Sequence, residues 1–413
     1  MQDVTVIGAG ASGLTAAINS ARHGAKVLLI EKMDRVGKKI LATGNGRCNI
    51  SNVNLSPYRY HGTCKRLLRA VLDEYGGEAT KRFFEEIGVS FRQEDGRLYP
   101  YSLQASSVLD VLRYEASRQG VECVTGCTVK EILPGDPFLI RTTGGLYRSR
   151  RIILAAGGRA SNQMGSAGEG YEISKKLGIQ VSRLFPALVK LRCESPYLRR
   201  LAGVKIEQGG AAVWAGQENL RQEQGEILFT QDGLSGPPIL QLSRSAGLGL
   251  AERRNVCIQL DLFPSMDEGQ LFQMLTGRTC QLGYKTAEEA FNGLLHKKLT
   301  PVLLTCAGLD GAKKFGSLDS RDLMKLVKLL KSWTFPVISA GPWQEAQVTA
   351  GGVVAEEVTE RLEARRVPGL YFAGEILDID GDCGGYNLQW AWSSGLSAGR
   401  TAALSIINKR RTI

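Results

Sequence analysis

Residues 4–31 read VTVIGAGASGLTAAINSARHGAKVLLIE. Residues 4–7 form a short, β-branched, apolar run long enough for a buried strand. Gly8, Gly10 and Gly13 follow in the spacing G-x-G-x-x-G. Over residues 12–23, Leu14, Ala17, Ile18 and Ala21 recur on one helical face, and Gly24 stops the helix. Residues 25–30 make a second apolar strand, with Glu31 at its end and Lys32 beside it. In this β-α-β unit each glycine has a physical task. The first permits a tight turn, the second lets backbone approach a pyrophosphate, and the third lets helix and strand pack closely. The helix start, Ala11 and Ser12 included, presents free amides and the positive end of the dipole to phosphate. Glu31 is placed to accept hydrogen bonds from a ribose hydroxyl. An acidic residue here selects an unphosphorylated 2′-hydroxyl, hence FAD or NAD rather than NADP.

The chain has 413 residues, enough for two or three domains. Hydrophobic residues make up 43% and charged residues 23%, the balance of a soluble globular protein. No run approaches the length of an apolar membrane span. The N-terminus enters the fold at Val4 without a signal or transit peptide, so a cytoplasmic location is expected. The nine cysteines are scattered without a C-x-x-C pair, and the three histidines lie far from any such pair. Reduced thiols are expected, and no metal site. The net charge of +11 raises nucleic-acid binding as an alternative. The basic residues are spread along the chain with short clusters such as Lys409-Arg410-Arg411, which favours a basic surface suited to an anionic cofactor.

Residues 37–52, GKKILATGNGRCNISN, are too rich in Gly and Asn to be helix or strand throughout. A glycine-dense loop after the second strand can run beneath a bound dinucleotide. Lys38 and Lys39 are candidates to neutralise phosphate. Thr43, Gly44, Asn45, Gly46, Arg47 and Cys48 are candidates to border the ligand, with Asn49 offering a further polar contact. Residues 65–75, 78–87 and 103–119 read as amphipathic helices. Residues 121–124, 128–133, 138–142 and 146–148 read as strands of a smaller sheet, with Val129 in a wall for an adenine ring. Residues 151–159, RIILAAGGR, form a buried parallel strand whose end, at Ala155, Ala156 and Gly157, meets a ligand.

Composition then changes. Residues 186–265 alternate strand-like runs with glycines, an antiparallel β pattern. Residues 266–332 are mostly helical, and residues 333–343 form a return strand. Residues 186–343 are therefore read as an insert between residues 1–185 and 344–413. The α/β pattern resumes with VPGLYFAGE at 367–375, a strand ending in Gly374-Glu375. A loop carrying Asp378, Asp380 and Asp382 lacks the full calcium-loop pattern. A long helix follows from Asn387, whose first turn offers the Asn387, Leu388 and Gln389 amides to an acceptor.

Four stretches narrow the reading: ATGNGRCNISN at 42–52, FTQDGLSGP at 229–237, VTAGGV at 348–353 and AGEILDIDGDCGGYNLQWAWSSG at 373–395. With the fingerprint and Glu31, they resemble the glutathione-reductase-type class of FAD-binding flavoproteins. Within it they resemble the aminoacetone-oxidase-like family of bacterial NAD(P)/FAD-dependent oxidoreductases, which also includes reductases of unsaturated steroid ketones. The resemblance implies a Rossmann-like α/β domain for FAD, split by an insert made of an antiparallel β-barrel and a helical subdomain. It implies that Glu31 holds the adenosine ribose, that residues 42–48 border the flavin, and that Glu375 binds ribitol or ribose hydroxyls. The amides at 387–389 would face the flavin pyrimidine. The family commonly has histidine where this chain has Gln231, so no acid-base role transfers there.

The expected activity is that of an FAD-dependent oxidoreductase acting on a small molecule between FAD domain and insert, by amine oxidation or by NAD(P)H-dependent enone reduction. FAD would be held non-covalently. The sequence carries one strand-backed fingerprint, so NAD(P)H is expected only as a transient co-substrate. A flavin-dependent nucleic-acid-modifying protein and a flavin-binding redox sensor are the alternatives. No catalytic acid or base is identified. Cys48 is a candidate for redox or nucleophilic chemistry, with Arg47 favouring its thiolate, and Arg47 and Tyr386 are candidates to line the substrate face together with residues of the insert. The oligomeric state is not legible.

Overall fold

The structure is a computed structural model that describes residues 1–411, with side chains through residue 407. The side chains of the Lys409-Arg410-Arg411 cluster lie outside the described residues. The chain divides into two compact units, Met1–Phe185 with Gln347–Ile413, and Pro186–Ala346.

The first unit is built on a seven-stranded sheet. Its first strand, Gln2–Ile7, lies parallel between Val27–Ile30 and Gly145–Leu154. Glu122–Val124 extends the parallel part on one side, and Leu370–Phe372 pairs parallel with Gly145–Leu154. Val4, Val6, Leu28, Ile152, Ile153 and Phe372 are fully buried, which is why these runs are apolar throughout rather than alternating.

The smaller sheet expected from residues 121–148 does not stand alone. Gly145–Leu154 is one ten-residue strand. Its first half pairs antiparallel with Phe138–Thr142, and its second half pairs parallel with the first strand. Arg148, Arg150 and Arg151 interrupt the apolar pattern at the crossover, so one strand reads as two. Val129–Leu133 completes that antiparallel flank.

The fingerprint helix, Ala11–Arg22, packs against the C-terminal helix, Tyr386–Arg411. Glycines set the distance. A methyl at Gly395 would lie 2.1 Å from the Thr15 hydroxyl, and one at Gly399 would lie 2.5 Å from the Ala16 carbonyl. The close approach lets Asn19 donate to the Leu396 carbonyl at 2.6 Å and Ser20 to the Gly399 carbonyl at 3.0 Å. No helix among the described residues is long and apolar enough to cross a membrane.

The second unit contains a closed antiparallel barrel. Its strands run in the order Leu191–Cys193, Gly233–Ser235, Glu218–Phe229, Lys205–Ala215, Val256–Asp261 and Trp333–Ala340. Phe229, Trp333 and Phe335 pack their rings together in its core. The all-β reading of residues 186–265 misses two helices, the four-residue Leu198–Leu201 and a longer one. Pro237–Ala251 is a helix. Pro237 stands in its first turn, where a missing N–H costs nothing, and Ile239, Leu242 and Ala246 form its buried face. Its small-residue run, SAGLG, resembles a turn in sequence. The helical part comprises Glu268–Leu282, Ala287–Ala290, Leu299–Cys306 and Ser320–Lys331. Side chains of Asp267, Thr286 and Asp319 cap the first, second and fourth.

Candidate functional site

Register brings the fingerprint and three later segments to one edge. Ile7 is level with Ile30 and Leu154, and Leu154 is level with Phe372. Gly8, Glu31, Ala155 and Ala373 therefore leave the sheet together at its carboxyl end, where open α/β sheets bind ligands.

The three fingerprint glycines differ in what surrounds them. A methyl on Gly8 would stand 2.5 Å from the Ala155 carbonyl, and Gly8 has φ +99°. A methyl on Gly13 would stand 1.8 Å from the Gly8 carbonyl. Packing alone demands both. A methyl on Gly10 would meet nothing within 4 Å. Open space over that backbone is what close approach by a pyrophosphate requires. Gly10 supplies no side-chain cap, and the Leu14 amide takes the Gly10 carbonyl. The Ala11, Ser12 and Gly13 amides are thus left without intrahelical acceptors. The Ser12 hydroxyl is spent on the Ala373 carbonyl at 3.3 Å, so Ser12 offers its amide only.

Glu31 is oriented by two amides. Ala9 donates to one carboxylate oxygen at 2.8 Å and Met33 to the other at 2.9 Å. Each oxygen keeps capacity for another donor. Lys32 turns to an ion pair with Glu169. Val129 is buried at the start of its strand. Lys38 and Lys39, the candidates to neutralise phosphate, each meet a carboxylate of the chain. Lys38 pairs with Asp34 at 2.5 Å and Lys39 with Glu375 at 2.9 Å, so both charges are met within the protein.

Lys38–Ala42 is a short helix, and Thr43–Gly46 a tight turn. Gly44, Asn45 and Gly46 have φ of +56°, +54° and +83°, and Cys48 follows at +57°. The Thr43 hydroxyl donates to the Ile40 carbonyl, and the Cys48 amide to the Thr43 carbonyl. Gly44, Asn45 and Gly46 are exposed.

Cys48 and Arg47 both meet partners or burial within the chain. Cys48 is 0% exposed, and burial pushes its thiol up to about 12. A buried thiol with no neighbouring cation stays protonated and inert. Arg47 does not activate it. The guanidinium pairs with Glu94 and lies 4.3 Å over the Tyr99 ring. All nine cysteines are free thiols.

Asn49, a polar contact in the sequence reading, follows next in line. Its side-chain amide makes no hydrogen bond among the described residues, and its Oδ1 is fully buried. An unsatisfied buried amide costs about 1–3 kcal/mol.

A polar network ties the late strand to the rest of the edge. Glu375 accepts from the Thr349 amide at 2.7 Å and from Lys39. The Thr349 hydroxyl accepts the Arg159 and Ala160 amides at 2.7 and 3.0 Å. Thr349 escaped the sequence reading, its signal being only its place in VTAGG. Gly374, at φ +82°, sits against Ser12; a methyl there would lie 2.4 Å from the Ser12 hydroxyl. Ser166 donates to the Ala156 carbonyl at 3.2 Å, and its hydroxyl fills the space beside Gly157.

The C-terminal helix starts at Tyr386, one residue early. Tyr386 is 5% exposed, packs edge-on against Tyr60, and donates its hydroxyl to the Asn54 carbonyl at 3.3 Å. Both its ring and its hydroxyl are thus engaged within the chain. The Asn387 side chain clamps Gly381 by two hydrogen bonds of 2.8 and 2.7 Å. Gln389 does not present its amide outward, since that amide donates to the Gly385 carbonyl at 2.9 Å. Its side chain is shared among Ser51, Thr80 and Ser393. The Asn387 and Leu388 amides, in the first turn, have no intrahelical acceptor. Asp378 accepts the Thr63 and Ser182 hydroxyls, and Asp382 meets His61 at 2.9 Å.

The HI0933-like protein Rossmann domain family matches residues 2–401. A 3-dehydro-bile acid delta(4,6)-reductase of Clostridium scindens is 38% identical over 407 residues, covering 98% of this chain and 99% of that protein. A ribosomal RNA dihydrouridine synthase of Escherichia coli is 29% identical over 398 residues, covering 95% and 96%. Among solved structures, the 3-ketosteroid delta1-dehydrogenase of Sterolibacterium denitrificans shares the fold. Its TM-score is 0.52 at 14% identity, over 98% of this chain and 99% of that one. These matches support a flavin oxidoreductase family without singling out the aminoacetone-oxidase-like group or the glutathione-reductase-type class named from the motifs. The chain belongs to the HI0933-like Rossmann-domain family, and it is an FAD-dependent oxidoreductase.

Proposed function

We propose that this protein reduces a carbon–carbon double bond conjugated to a carbonyl in a small-molecule enone, drawing electrons from NAD(P)H. The observation that carries the reading is the Clostridium scindens reductase, similar over nearly the whole of both chains. That likeness supports enone reduction over amine oxidation. When bound, FAD would supply the hydride chemistry.

The residues at the carboxyl edge fit that cofactor. Gly10 leaves the approach open, and the Ala11, Ser12 and Gly13 amides would take the pyrophosphate. Glu31, already oriented by Ala9 and Met33, would accept a ribose hydroxyl of the adenosine half, which FMN lacks. Val129 would wall the adenine. The loop from Thr43 to Cys48 and the segment from Ala155 to Gly157 would lie along the cofactor. The Asn387 and Leu388 amides, at the positive end of a 26-residue helix, would stabilise negative charge on the pyrimidine ring. Glu375 would hold sugar hydroxyls from a carboxylate fixed by Lys39 and Thr349.

A second reading is favoured by the Escherichia coli relative and the +11 charge: the activated double bond would be that of uridine in RNA. It ranks second because 29% identity stands against 38%. One anaerobic experiment separates the two. The yellow protein is bleached with NAD(P)H and offered a 3-keto-4-ene steroid or a uridine-containing oligoribonucleotide. Return of the yellow colour with the steroid supports the first reading. Return with the oligonucleotide alone, lost as salt rises, replaces it with the second.

A further inference from the structure

We infer that residues 161–169 form a strap across the cofactor edge, latched by the Lys32–Glu169 ion pair, and that this latch opens when FAD enters or leaves. The inference rests on the FAD site proposed above. The segment leaves the strand Gly145–Leu154, yet it makes its far contacts beyond the end of Val27–Ile30. In the sheet, the first strand lies between those two. The chain therefore passes the end of the first strand, where the fingerprint glycines lie, over about 10 Å, or two strand spacings.

Both ends of the crossing are fixed. At the start, the Arg159 and Ala160 amides donate to the Thr349 hydroxyl, and Lys39 donates to the Ala160 carbonyl at 3.3 Å. At the far end, a methyl on Gly165 would stand 2.8 Å from Met33 Cγ and 3.9 Å from a carboxylate oxygen of Glu31. Glu169 closes the crossing. One of its oxygens takes Lys32, and the other accepts the Ala167 amide at 3.1 Å. A ribose bound to Glu31 would sit beside Gly165, so the strap has to move for the adenosine half to pass.

The crossing has no core of its own. Ala160 and Tyr171 are 0% and 1% exposed, whereas no residue from 161 to 169 is buried. A stretch without buried side chains opens locally at little cost, leaving the sheet intact. The ion pair is partly exposed on both sides, which keeps the latch weak and open to screening by salt.

The test is the exchange of bound FAD in the purified holoprotein. Wild type, Lys32→Met, Glu169→Gln and the double variant are each mixed with excess isotope-labelled FAD, and the retained flavin is followed by mass spectrometry. Each single variant is expected to exchange roughly two- to fivefold faster than wild type, the worth of a partly exposed ion pair. The double variant should exchange no faster than either single one, because the two residues act through one contact. Added salt should speed exchange in wild type and not in the double variant. Unchanged exchange in the single variants, acceleration in only one of them, or additive acceleration in the double variant overturns the latch. Failure of wild type to retain FAD at all overturns instead the cofactor site on which the inference rests.

Discussion

A methyl group on Gly13 would lie 1.8 Å from the carbonyl oxygen of Gly8, so the fingerprint helix and the end of the first strand meet backbone to backbone. The same addition at Gly10 meets nothing, and Gly10 has an ordinary φ of −81°. The two positions therefore separate folding from binding. Gly13→Ala is expected to destabilise the protein by roughly 1–3 kcal/mol or more through overpacking. Gly10→Ala should leave folding within about 0.5 kcal/mol at saturating FAD, yet weaken FAD retention at least ~10-fold. Denaturant unfolding and flavin content after gel filtration check both. Equal destabilisation by the two substitutions would remove the open cradle.

Glu115 fastens the helix Ala105–Arg118 to the end of the fingerprint helix. It is 6% exposed and takes hydrogen bonds from Arg22, Arg118 and Gln119 at 2.7–3.0 Å. Burial alone would push its carboxyl up, but the bonds from Arg118, Gln119 and Arg22 outweigh it and hold the group at about 2. A folded value below the ordinary 4.5 means stability fully present above pH 4.5 and lost as pH falls toward 2. At about 1.4 kcal/mol per tenfold change in proton affinity, the contribution is bounded at roughly 3 kcal/mol. Glu115→Gln should destabilise at pH 7 by no more than that and flatten the acid limb between pH 4.5 and 2. An unchanged acid limb would show that Glu115 is not held this way.

The fingerprint was legible because its chemistry is local. Gly8, Gly10, Gly13 and Glu31 fall within 24 residues of one another, and spacing alone orders their tasks. What spacing cannot show is what depends on partners far along the chain. Lys39 reads as a phosphate cation until Glu375, 336 residues away, is found against it. Arg47 reads as an activator of Cys48 until Glu94 and Tyr99 claim it. Gln389 reads as a helix-start donor because the helix was started one residue late, which moves its amide from the free first turn into the hydrogen-bonded ladder. Asn49 was visible, but its lack of a partner is a property of three dimensions.

Cys48 offers a prediction with two readouts. Its folded thiol is pushed up to about 12 from an ordinary 9.0 by burial. A raised value means stability present below pH 9 and lost as pH climbs toward 12, because only the unfolded chain releases the proton early. Cys48→Ser should soften that alkaline loss and leave turnover within about twofold. Alkylation of the native protein at pH 8, read by mass spectrometry, should mark exposed Cys123, Cys280 and Cys306 and spare Cys48. Rapid labelling of Cys48, or turnover abolished in the serine variant, would restore the catalytic reading.

The last expectation concerns how electrons arrive. The only strand-backed fingerprint, Gly8 to Gly13, is assigned to the FAD pyrophosphate. On the proposed reading, nicotinamide would have no dinucleotide fold of its own to occupy and would use the exposed face of the isoalloxazine, where the enone would also be reduced. Two ligands that need one surface take it in turn. NAD(P)H should therefore reduce the flavin and leave as NAD(P)+ before the enone binds, giving ping-pong kinetics. Double-reciprocal plots with both substrates varied should be parallel. Stopped-flow bleaching by NAD(P)H should proceed without enone at least as fast as kcat. Excess NAD(P)H should compete with the enone for the reduced enzyme, and excess enone should compete with NAD(P)H for the oxidised enzyme. Intersecting lines, or bleaching that waits for the enone, would mean that both substrates sit on the protein together, and a separate nicotinamide site would have to be found.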